Sequence, residues 1–505
     1  MAASKGVAHC NALDSYMLNN TQLILIRTKM TETDMYNFGF DLAKHARLAL
    51  IDYLEDQNLH TTERSNIFEL WKASIDAYLS SYAFCGKLAS TFSEVCLAMG
   101  RSLYQNYAFS KDRGELEEQV MVTGRKEFDA KFRDETFVRL LAEAVNSYSR
   151  FAKASGLGQM YQNISSAAAI WNNTFLEPSR DRVWRTPSHE IHSEDKFALF
   201  HYYSESQAIR DSGNNHGTPL LVIYAFINRH YILDLLPEVS IIRNLLNQGF
   251  DIYAADWGTP GGYDKELTVG HYVNNYLDSS IDHIRKHTNS EKVSILGYCW
   301  GGDLALMYAA LHPEKVANVI TLATPGDFSQ DDGLLALWTR NINADAIIDA
   351  FGNAPSMMLN AAFGLRSPLD VLHKYQHFFE KPRDLEAIRQ FFATEMWLYD
   401  SPPVIGEIYK QFVNDCYKNN LLIQNRMVLA SDQRIDLTEV KMPYLNVIAS
   451  NDDLVAPESS RALNAAVGSK DKSLIEFKSG HVGACISPEA HKNLWPQVGN
   501  WLKRK

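Results

Sequence analysis

The stretch of sequence that decides the fold is Gly297-Tyr298-Cys299-Trp300-Gly301-Gly302. The apolar residues 293–296 before it are typical of a buried strand, and residues 303–310 after it favour a helix. One reactive side chain between glycines on a strand-to-helix turn is the nucleophile-elbow pattern G-x-S-x-G, with cysteine in place of serine. The pattern predicts Cys299 as a nucleophile; the alternative is a buried structural cysteine between two chance glycines.

The chemistry of the elbow follows from its backbone. Flanking glycines are needed because the turn is too tight for side chains, and the central residue takes strained backbone angles. The N-terminus of the following helix favours negative charge, which helps Cys299 to form a thiolate. The backbone N–H of Trp300 is then expected to donate a hydrogen bond to an oxyanion.

An acid and a histidine follow Cys299 in the order that this pattern requires. A predicted strand ending at Ala449 leads into Asp452 and Asp453, and a last predicted strand leads into His481. We predict Cys299 as the nucleophile, Asp452 as the orienting acid and His481 as the general base. Asp453 is the alternative acid, since only one of the two neighbours can face the histidine.

Three further residues are candidates for the site because they follow predicted strands or lie close to the histidine in sequence. Asp256 and Asp327 come at strand ends, either as site groups or as local turn residues. Cys485 is four positions past His481 and is expected to be a core residue.

The other apolar runs of this half of the chain predict a sheet. Strand signals at residues 220–224, 251–257 and 316–322 alternate with helix-length segments, so we expect parallel strands covered by helices on both faces. Residues 328–434 break this rhythm and are mostly helical in pattern, as a cap over the site would be. Together these features predict an α/β-hydrolase fold with a helical cap insertion.

The N-terminal third differs from the rest in its proline content. All 16 prolines lie at or after Pro178, and proline is excluded from helix interiors because it lacks an N–H and clashes with the preceding turn. Apolar residues of this part recur at helical spacing, as at Val138, Leu141, Val145 and Tyr148. We therefore predict an all-helical N-terminal domain over residues 1–180, used for docking or assembly, and a catalytic domain over residues 181–505.

Composition and charge exclude several classes of protein. The chain has 505 residues, 46% hydrophobic content and a net charge of −11, so it can bury a large core and lacks the positive charge of a general nucleic-acid binder. Apolar runs are too short to predict a transmembrane helix. The 6 cysteines include no CxxC pair, which excludes a disulfide scaffold or a zinc ribbon and fits a reducing cytoplasm. We expect no metal and no cofactor, because nucleotide-binding glycine motifs and spaced metal ligands are missing from the sequence.

A cysteine nucleophile suits one kind of acyl transfer. A thiol that attacks a thioester exchanges one thioester for another at little energetic cost, so the acyl group stays activated toward an alcohol or amine. Cys–His catalysis is therefore well matched to an acyl-CoA donor. The elbow alone is equally compatible with hydrolysis.

From about Thr186 to the C-terminus, the chain resembles the catalytic subunit of poly(3-hydroxyalkanoate) synthases. Besides the elbow, the resemblance lies in residues 224–235, Asp256-Trp257-Gly258 with Pro260, residues 309–316, 324–328 and 480–483, and, as in the two-subunit classes, Trp397, Asp400-Ser401-Pro402 and Gly406-Glu407. One departure is Asp453, because the family often has a histidine directly after the acid. The other is the N-terminal region: two-subunit synthases use a separate helical partner, which residues 30–175 vaguely resemble.

The resemblance implies a specific reaction. Cys299 would carry the growing chain as a thioester, His481 would be the general base, and Asp452 would assist His481 or activate the incoming hydroxyl. The substrate would be (R)-3-hydroxyacyl-CoA, and the products a polyester and free CoA. The family is cytoplasmic and works at the surface of polyester granules, commonly as a dimer, so a homodimer and a helical partner subunit are the expected protein partners.

Two other functions compete with this one. A hydrolase of the dienelactone-hydrolase type also has a Gly-Tyr-Cys-x-Gly-Gly elbow, but such enzymes are much shorter and lack the long insertion between Cys299 and Asp452. A non-catalytic, granule-associated scaffold is the second alternative. The presence of all three triad candidates argues against it.

Overall fold

A computed structural model describes residues 113–154, 186–204, 217–367, 374, 385–429 and 432–505, together with single positions between residues 73 and 102. The predicted domain boundary near residue 180 lies outside these described residues, as does most of the predicted N-terminal domain.

One mostly parallel sheet of eight strands forms the centre of the described structure. Its strands are β1 (Ser188–Glu194), β2 (Phe197–Tyr202), β3 (Leu220–Ile223), β4 (Ile252–Asp256), β5 (Val293–Tyr298), β6 (Val316–Leu322), β7 (Tyr444–Ala449) and β8 (Lys472–Phe477). They lie in the order β1-β2-β4-β3-β5-β6-β7-β8. β2 pairs antiparallel with both β1 and β4, whereas β4, β3, β5, β6, β7 and β8 run parallel.

The antiparallel pair β1–β2 is the part of the sheet that sequence patterns missed. β3, β5, β6 and β7 are continuous apolar runs buried along nearly their whole length, which is why they were predictable. β1 is mostly exposed, and β2 alternates between buried and half-buried residues. The edge strand β1 carries little apolar signal, whereas β2 begins with the short apolar run of residues 197–200. The turn between the two strands has Asp195 at φ 55°.

Helices cover the sheet and fill the long connection between β6 and β7. The described α-helices of at least four residues are α1 (Arg113–Phe132), α2 (Glu135–Ala154), α3 (Ile241–Asn247), α4 (Asp278–Thr288), α5 (Trp300–Leu311), α6 (Leu334–Asn341), α7 (Ala344–Phe351), α8 (Ser356–Arg366), α9 (Leu385–Tyr399), α10 (Gly406–Gln411), α11 (Pro457–Ala466), α12 (Gly483–Ile486) and α13 (Trp495–Leu502). None of them is long and apolar enough to cross a membrane. α5 is buried on every side, as its wholly apolar sequence after Asp303 requires.

Helices α6 to α10 lie between β6 and β7, and we call them the cap. α10 continues into a π-helical segment, Phe412–Lys418, whose first residue touches the elbow helix. The rings of Phe412 and Trp300 stack with centroids 4.0 Å apart and an interplanar angle of 5°. This contact joins the cap to the first residue of α5.

Helices α1 and α2 pack against the cap. The rings of Phe132 and Phe137 each lie 6.3 Å from the ring of Trp338 on α6, and the Trp338 indole donates a hydrogen bond to the Phe132 carbonyl at 3.4 Å. These side chains belong to a small hydrophobic cluster that is separate from the main core. On the predicted stripe of α2, Val138 is buried in this cluster, whereas Tyr148 is 49% exposed.

We expect the substitution Trp338→Ala to loosen α1 and α2 while the sheet stays folded. Removing a buried tryptophan costs about 3–5 kcal/mol of packing, and the lost contacts are those with Phe132 and Phe137. Hydrogen exchange followed by mass spectrometry should accelerate at least about tenfold in residues 113–154 and stay unchanged in β5.

The matched control is Tyr399→Ala, which removes a cap aromatic that is 64% exposed. Equal exchange rates for residues 113–154 in the two variants would show that the cluster around Trp338 does not hold these helices.

Candidate active site

Cys299 occupies the sharp turn between β5 and α5. Its backbone has φ 53° and ψ −129°, a strained conformation for a residue with a side chain. Two hydrogen bonds hold it there: its N–H donates to the Leu322 carbonyl at 2.9 Å, and its carbonyl accepts from the Gly302 N–H at 2.8 Å. The strain is thus fixed by β6 on one side and by the first turn of α5 on the other.

The flanking glycines are required because backbone passes too close for any side chain. A Cβ atom on Gly297 would lie 2.3 Å from the carbonyl oxygen of Gly301. A Cβ atom on Gly301 would lie 2.3 Å from the carbonyl oxygen of Ile223, at the end of β3. The glycine pattern of the sequence therefore reports close contact between the elbow and the neighbouring strand.

His481 and Asp452 form a buried pair at the ends of β8 and β7. His481 Nδ1 lies 2.6 Å from Asp452 Oδ2. The other carboxylate oxygen, Oδ1, accepts hydrogen bonds at 2.9 Å from the backbone N–H groups of both Leu454 and Val455. Both oxygens are thus engaged, and the carboxylate is fixed in the orientation that contacts the histidine.

Asp453 points elsewhere. Its side chain is 57% exposed and makes an ion pair with Arg366 of α8, with 2.6 Å between Nη1 and Oδ2. Of the two adjacent acids, Asp452 is the one that contacts His481. The turn after β7 points the Asp452 carboxylate inward and the Asp453 carboxylate toward solvent, a difference that the sequence does not reveal.

Charge at the site centres on His481. Burial by itself lowers the pKa of this histidine, but the Asp452 carboxylate, the Cys299 thiolate and hydrogen bonds to both raise the pKa from 6.5 to about 10. The protonated ring therefore stabilises the folded state fully below pH 6.5, and that stabilisation is lost as the pH rises through about 10. A protonated imidazole beside a cysteine is the arrangement that activates the sulfur as a nucleophile.

Trp300 begins α5, so its backbone N–H belongs to the first turn of a helix, where amides have no intrahelical acceptor. Its side chain is buried against Phe412 of the cap. In elbow enzymes a second oxyanion donor comes from the loop after β3. That loop begins at Tyr224, and a Cβ atom on Gly301 would lie 2.8 Å from the backbone carbonyl carbon of Tyr224.

The loop after β3 is also tied to the cap. Asn228, with a φ of 62°, donates through Nδ2 to the Leu398 carbonyl at 3.0 Å and to Ser401 Oγ at 2.6 Å. In the opposite direction, the Trp397 indole donates to the Arg229 carbonyl at 2.8 Å. We call this set of contacts the cap latch.

Asp400 completes the cap latch. Its carboxylate accepts from the Tyr231 hydroxyl at 3.0 Å and from Arg229 Nε at 3.4 Å. The partners are about 170 residues apart in sequence, so no local pattern could have paired them. A pocket lies beside the latch, with Asn228 and Arg229 in its wall, and none of the triad candidates lines it.

The other three residues singled out in the sequence, Asp256, Asp327 and Cys485, are not part of the His481–Asp452 pair. Asp256 accepts from the Gly258 N–H at 3.0 Å. Burial raises the pKa of Asp256, but His230, 3.4 Å away, the Gly258 N–H and Arg229 together outweigh burial and lower this pKa. Asp327 caps a short helical turn by accepting from the Ser329 N–H at 3.0 Å. Cys485 is fully buried. Among the described residues, there is no group of three or more His, Cys, Asp or Glu side chains that could hold a metal ion.

Comparison with known proteins shows which family this chain resembles. Residues 218–484 match the family model of the alpha/beta hydrolase fold. The poly(3-hydroxyalkanoate) polymerase subunit PhaC of Haloferax mediterranei is 39% identical over 344 residues, which cover 68% of this chain and 68% of that protein. The subunit of the same name from Allochromatium vinosum is 36% identical over 366 residues, covering 72% of this chain and 97% of that protein.

Solved structures match this chain at lower similarity. A monoglyceride lipase from Saccharomyces cerevisiae, solved with a substrate analogue, is 14% identical with a TM-score of 0.40, covering 64% of this chain and 96% of that one. A monoacylglycerol lipase from Paleococcus ferrophilus is 18% identical with a TM-score of 0.36, covering 58% of this chain and 96% of that one.

We expect Asp452→Asn to lower the pKa of His481, because burial lowers this pKa and the substitution removes the carboxylate that contributes most to raising it. The ring should then titrate at a lower pH than in the parent protein. NMR of the histidine ring carbons measures the titration, with His481→Gln used to assign the resonance.

Asp453→Asn is the matched control, since it removes the adjacent carboxylate without touching the His481 contact. Identical titration of His481 in both variants would mean that the Asp452 contact does not set its protonation state.

Proposed function

This chain belongs to the poly(3-hydroxyalkanoate) polymerase family of α/β-hydrolases, and on that premise we propose that it polymerises (R)-3-hydroxyacyl-CoA into a polyester and releases CoA. The observation that carries the proposal is the buried Asp452–His481 pair beside a strained Cys299 elbow, in a chain 39% identical to a polymerase subunit. Cys299, His481 and Asp452 act as nucleophile, general base and orienting acid.

The first half of the proposed cycle loads the enzyme. His481 holds the Cys299 proton, and the thiolate attacks the thioester carbonyl of the acyl-CoA. The Trp300 N–H stabilises the oxyanion that forms. When this intermediate collapses, the bond to CoA sulfur breaks, His481 returns the proton to the departing CoA, and the acyl group remains on Cys299 as a thioester.

The second half makes the ester bond. His481 takes the proton from the 3-hydroxyl group of the next hydroxyacyl-CoA, and the hydroxyl oxygen attacks the acyl-Cys299 carbonyl. The C–S bond breaks, Cys299 recovers its proton from His481, and the chain is longer by one unit on CoA. A new attack by Cys299 on that thioester releases CoA and returns the chain to the enzyme. No metal or redox cofactor takes part in the proposed reaction.

The cap has a chemical task in this scheme. Water competes with the hydroxyl nucleophile at the acyl-Cys299 carbonyl, so a site that excludes water favours ester formation over hydrolysis. His481 is only 8% exposed, and the cap latch holds residues 397–401 against the loop that follows β3. We infer that the cap opens to admit an acyl-CoA and closes during transfer.

The proposal assigns an assembly role to the N-terminal region. Helices α1 and α2 brace the cap through the cluster around Trp338, in the manner of a fused partner subunit. The family resemblance adds three expectations: a homodimer, attachment to the surface of the polyester granule, and a cytoplasmic location. Domain bounds of 1–180 and 181–505 are part of the same proposal.

The test is an assay with purified protein and 3-hydroxybutyryl-CoA. We expect free CoA, measured with a thiol reagent, together with insoluble polymer. CoA release accompanied only by free hydroxy acid would indicate a hydrolase, and no CoA release would indicate a scaffold. We expect Cys299→Ala to lose at least about 10³-fold in rate, since the nucleophile is gone.

Cys10→Ala is the matched control, a cysteine replacement distant in sequence from the elbow and expected to keep the parent rate. Normal polymerisation by Cys299→Ala would overturn the nucleophile assignment. A trapped acyl group that hydroxylamine removes at neutral pH from the parent protein, and that is missing from Cys299→Ala, would support the thioester.

A further inference from the structure

Asp303 is a buried carboxyl group that the proposed reaction does not use. It lies in the first turn of α5, four residues after Cys299, and its side chain is 0% exposed. Neither Oδ1 nor Oδ2 has a hydrogen-bond partner in the described structure. An isolated buried carboxylate is costly, so a group in this position must either find a partner or keep its proton.

The surroundings of Asp303 favour the protonated form. Its electrostatic neighbours are Cys299 at the elbow, Cys416 and Tyr417 in the π-helical segment of the cap, and Tyr444 on β7. None of these four groups is a cation, and each is neutral or negative. Burial raises the pKa of the Asp303 carboxyl well above its usual range, and the Cys299 thiolate raises it further.

The charge on Cys299 changes in every proposed cycle, from thiolate to neutral thioester. A carboxylate one helical turn away would oppose the thiolate in a site of low dielectric constant, whereas a neutral carboxyl group leaves it unopposed. The state of Cys299 also affects Asp303. Burial and the thiolate charge both keep Asp303 protonated, and loss of the thiolate charge removes the second of these.

We propose that Asp303 is a positioning residue for Cys299: a buried neutral carboxylic acid that keeps the thiolate–imidazolium pair unopposed, and whose loss of a proton lowers the reaction rate at alkaline pH. The inference rests on the proposed function for the identity of the reaction, but the protonation state of Asp303 and its response to Cys299 are testable without any substrate.

The first experiment uses infrared difference spectroscopy on the full-length protein. We expect the parent protein at neutral pH to show the carbonyl band of a protonated carboxyl group that is missing from Asp303→Asn and retained in Asp327→Asn. Assignment by variant is needed because burial also raises the pKa of Asp331 and Asp415. If Asp303→Asn does not fold, Asp303→Glu should shift the band instead.

The second measurement asks whether this carboxyl group responds to the nucleophile. Iodoacetamide converts the Cys299 thiolate into a neutral thioether, and the band should shift on alkylation of the parent protein but not on treatment of Cys299→Ala. A structural carboxyl group would not respond. A band absent from the parent protein, or one unchanged by alkylation, would overturn the proposal even if the protein polymerises hydroxyacyl-CoA.

The third measurement is the pH profile of CoA release. Asp303→Asn should match the parent rate within about threefold at neutral pH, since the amide is also neutral, and should lose less activity than the parent at alkaline pH. Identical alkaline limbs in the two proteins would contradict a role in the rate. Failure of the polymerase assay removes this third test alone, so the two hypotheses fail separately.

Discussion

The constraint on which the rest of the structure depends is the backbone of Cys299. A non-glycine residue held at φ 53° and ψ −129° is tolerated only where the surroundings leave no alternative. Here they do, because the space that side chains at Gly297 and Gly301 would need is already filled by backbone. The strand β5, the helix α5 and the end of β3 therefore have one relative arrangement, and that arrangement presents the cysteine at the carboxyl edge of the sheet.

The other functional groups reach the same edge by the same topology. β7 and β8 run parallel to β5, so the loops that carry Asp452 and His481 emerge beside the elbow. Each loop is then fixed by backbone contacts: two amides orient Asp452, and the Tyr298 hydroxyl at the end of β5 donates to the His481 carbonyl at 3.3 Å. Positioning thus depends on strand ends and short turns, which tolerate few changes.

Sequence patterns predict what local periodicity and spacing encode. The buried strands, the elbow and the order of acid and histidine are features of this kind, and so is the run of helices between β6 and β7. The pattern could not choose between Asp452 and Asp453, because both lie in one turn and only its three-dimensional path separates them. It missed β1, which is mostly exposed and polar, and it also missed β2, although β2 begins with the apolar run of residues 197–200. Asp303 did carry a signal, as the single acid in an otherwise apolar helix, but its isolation became evident only with its neighbours in place.

The cap latch has a consequence for recombination between relatives. Its donors and acceptors are divided between the catalytic core, at Asn228, Arg229 and Tyr231, and the cap, at residues 397–401. A chimera that receives a foreign cap keeps only one half of this hydrogen-bonded set. The Asn228 amide of the core then loses its partners at residues 398 and 401, and the Tyr231 hydroxyl loses the Asp400 carboxylate. Exchange of substrate range between members of the family therefore requires two segments, far apart in sequence, to be transplanted together.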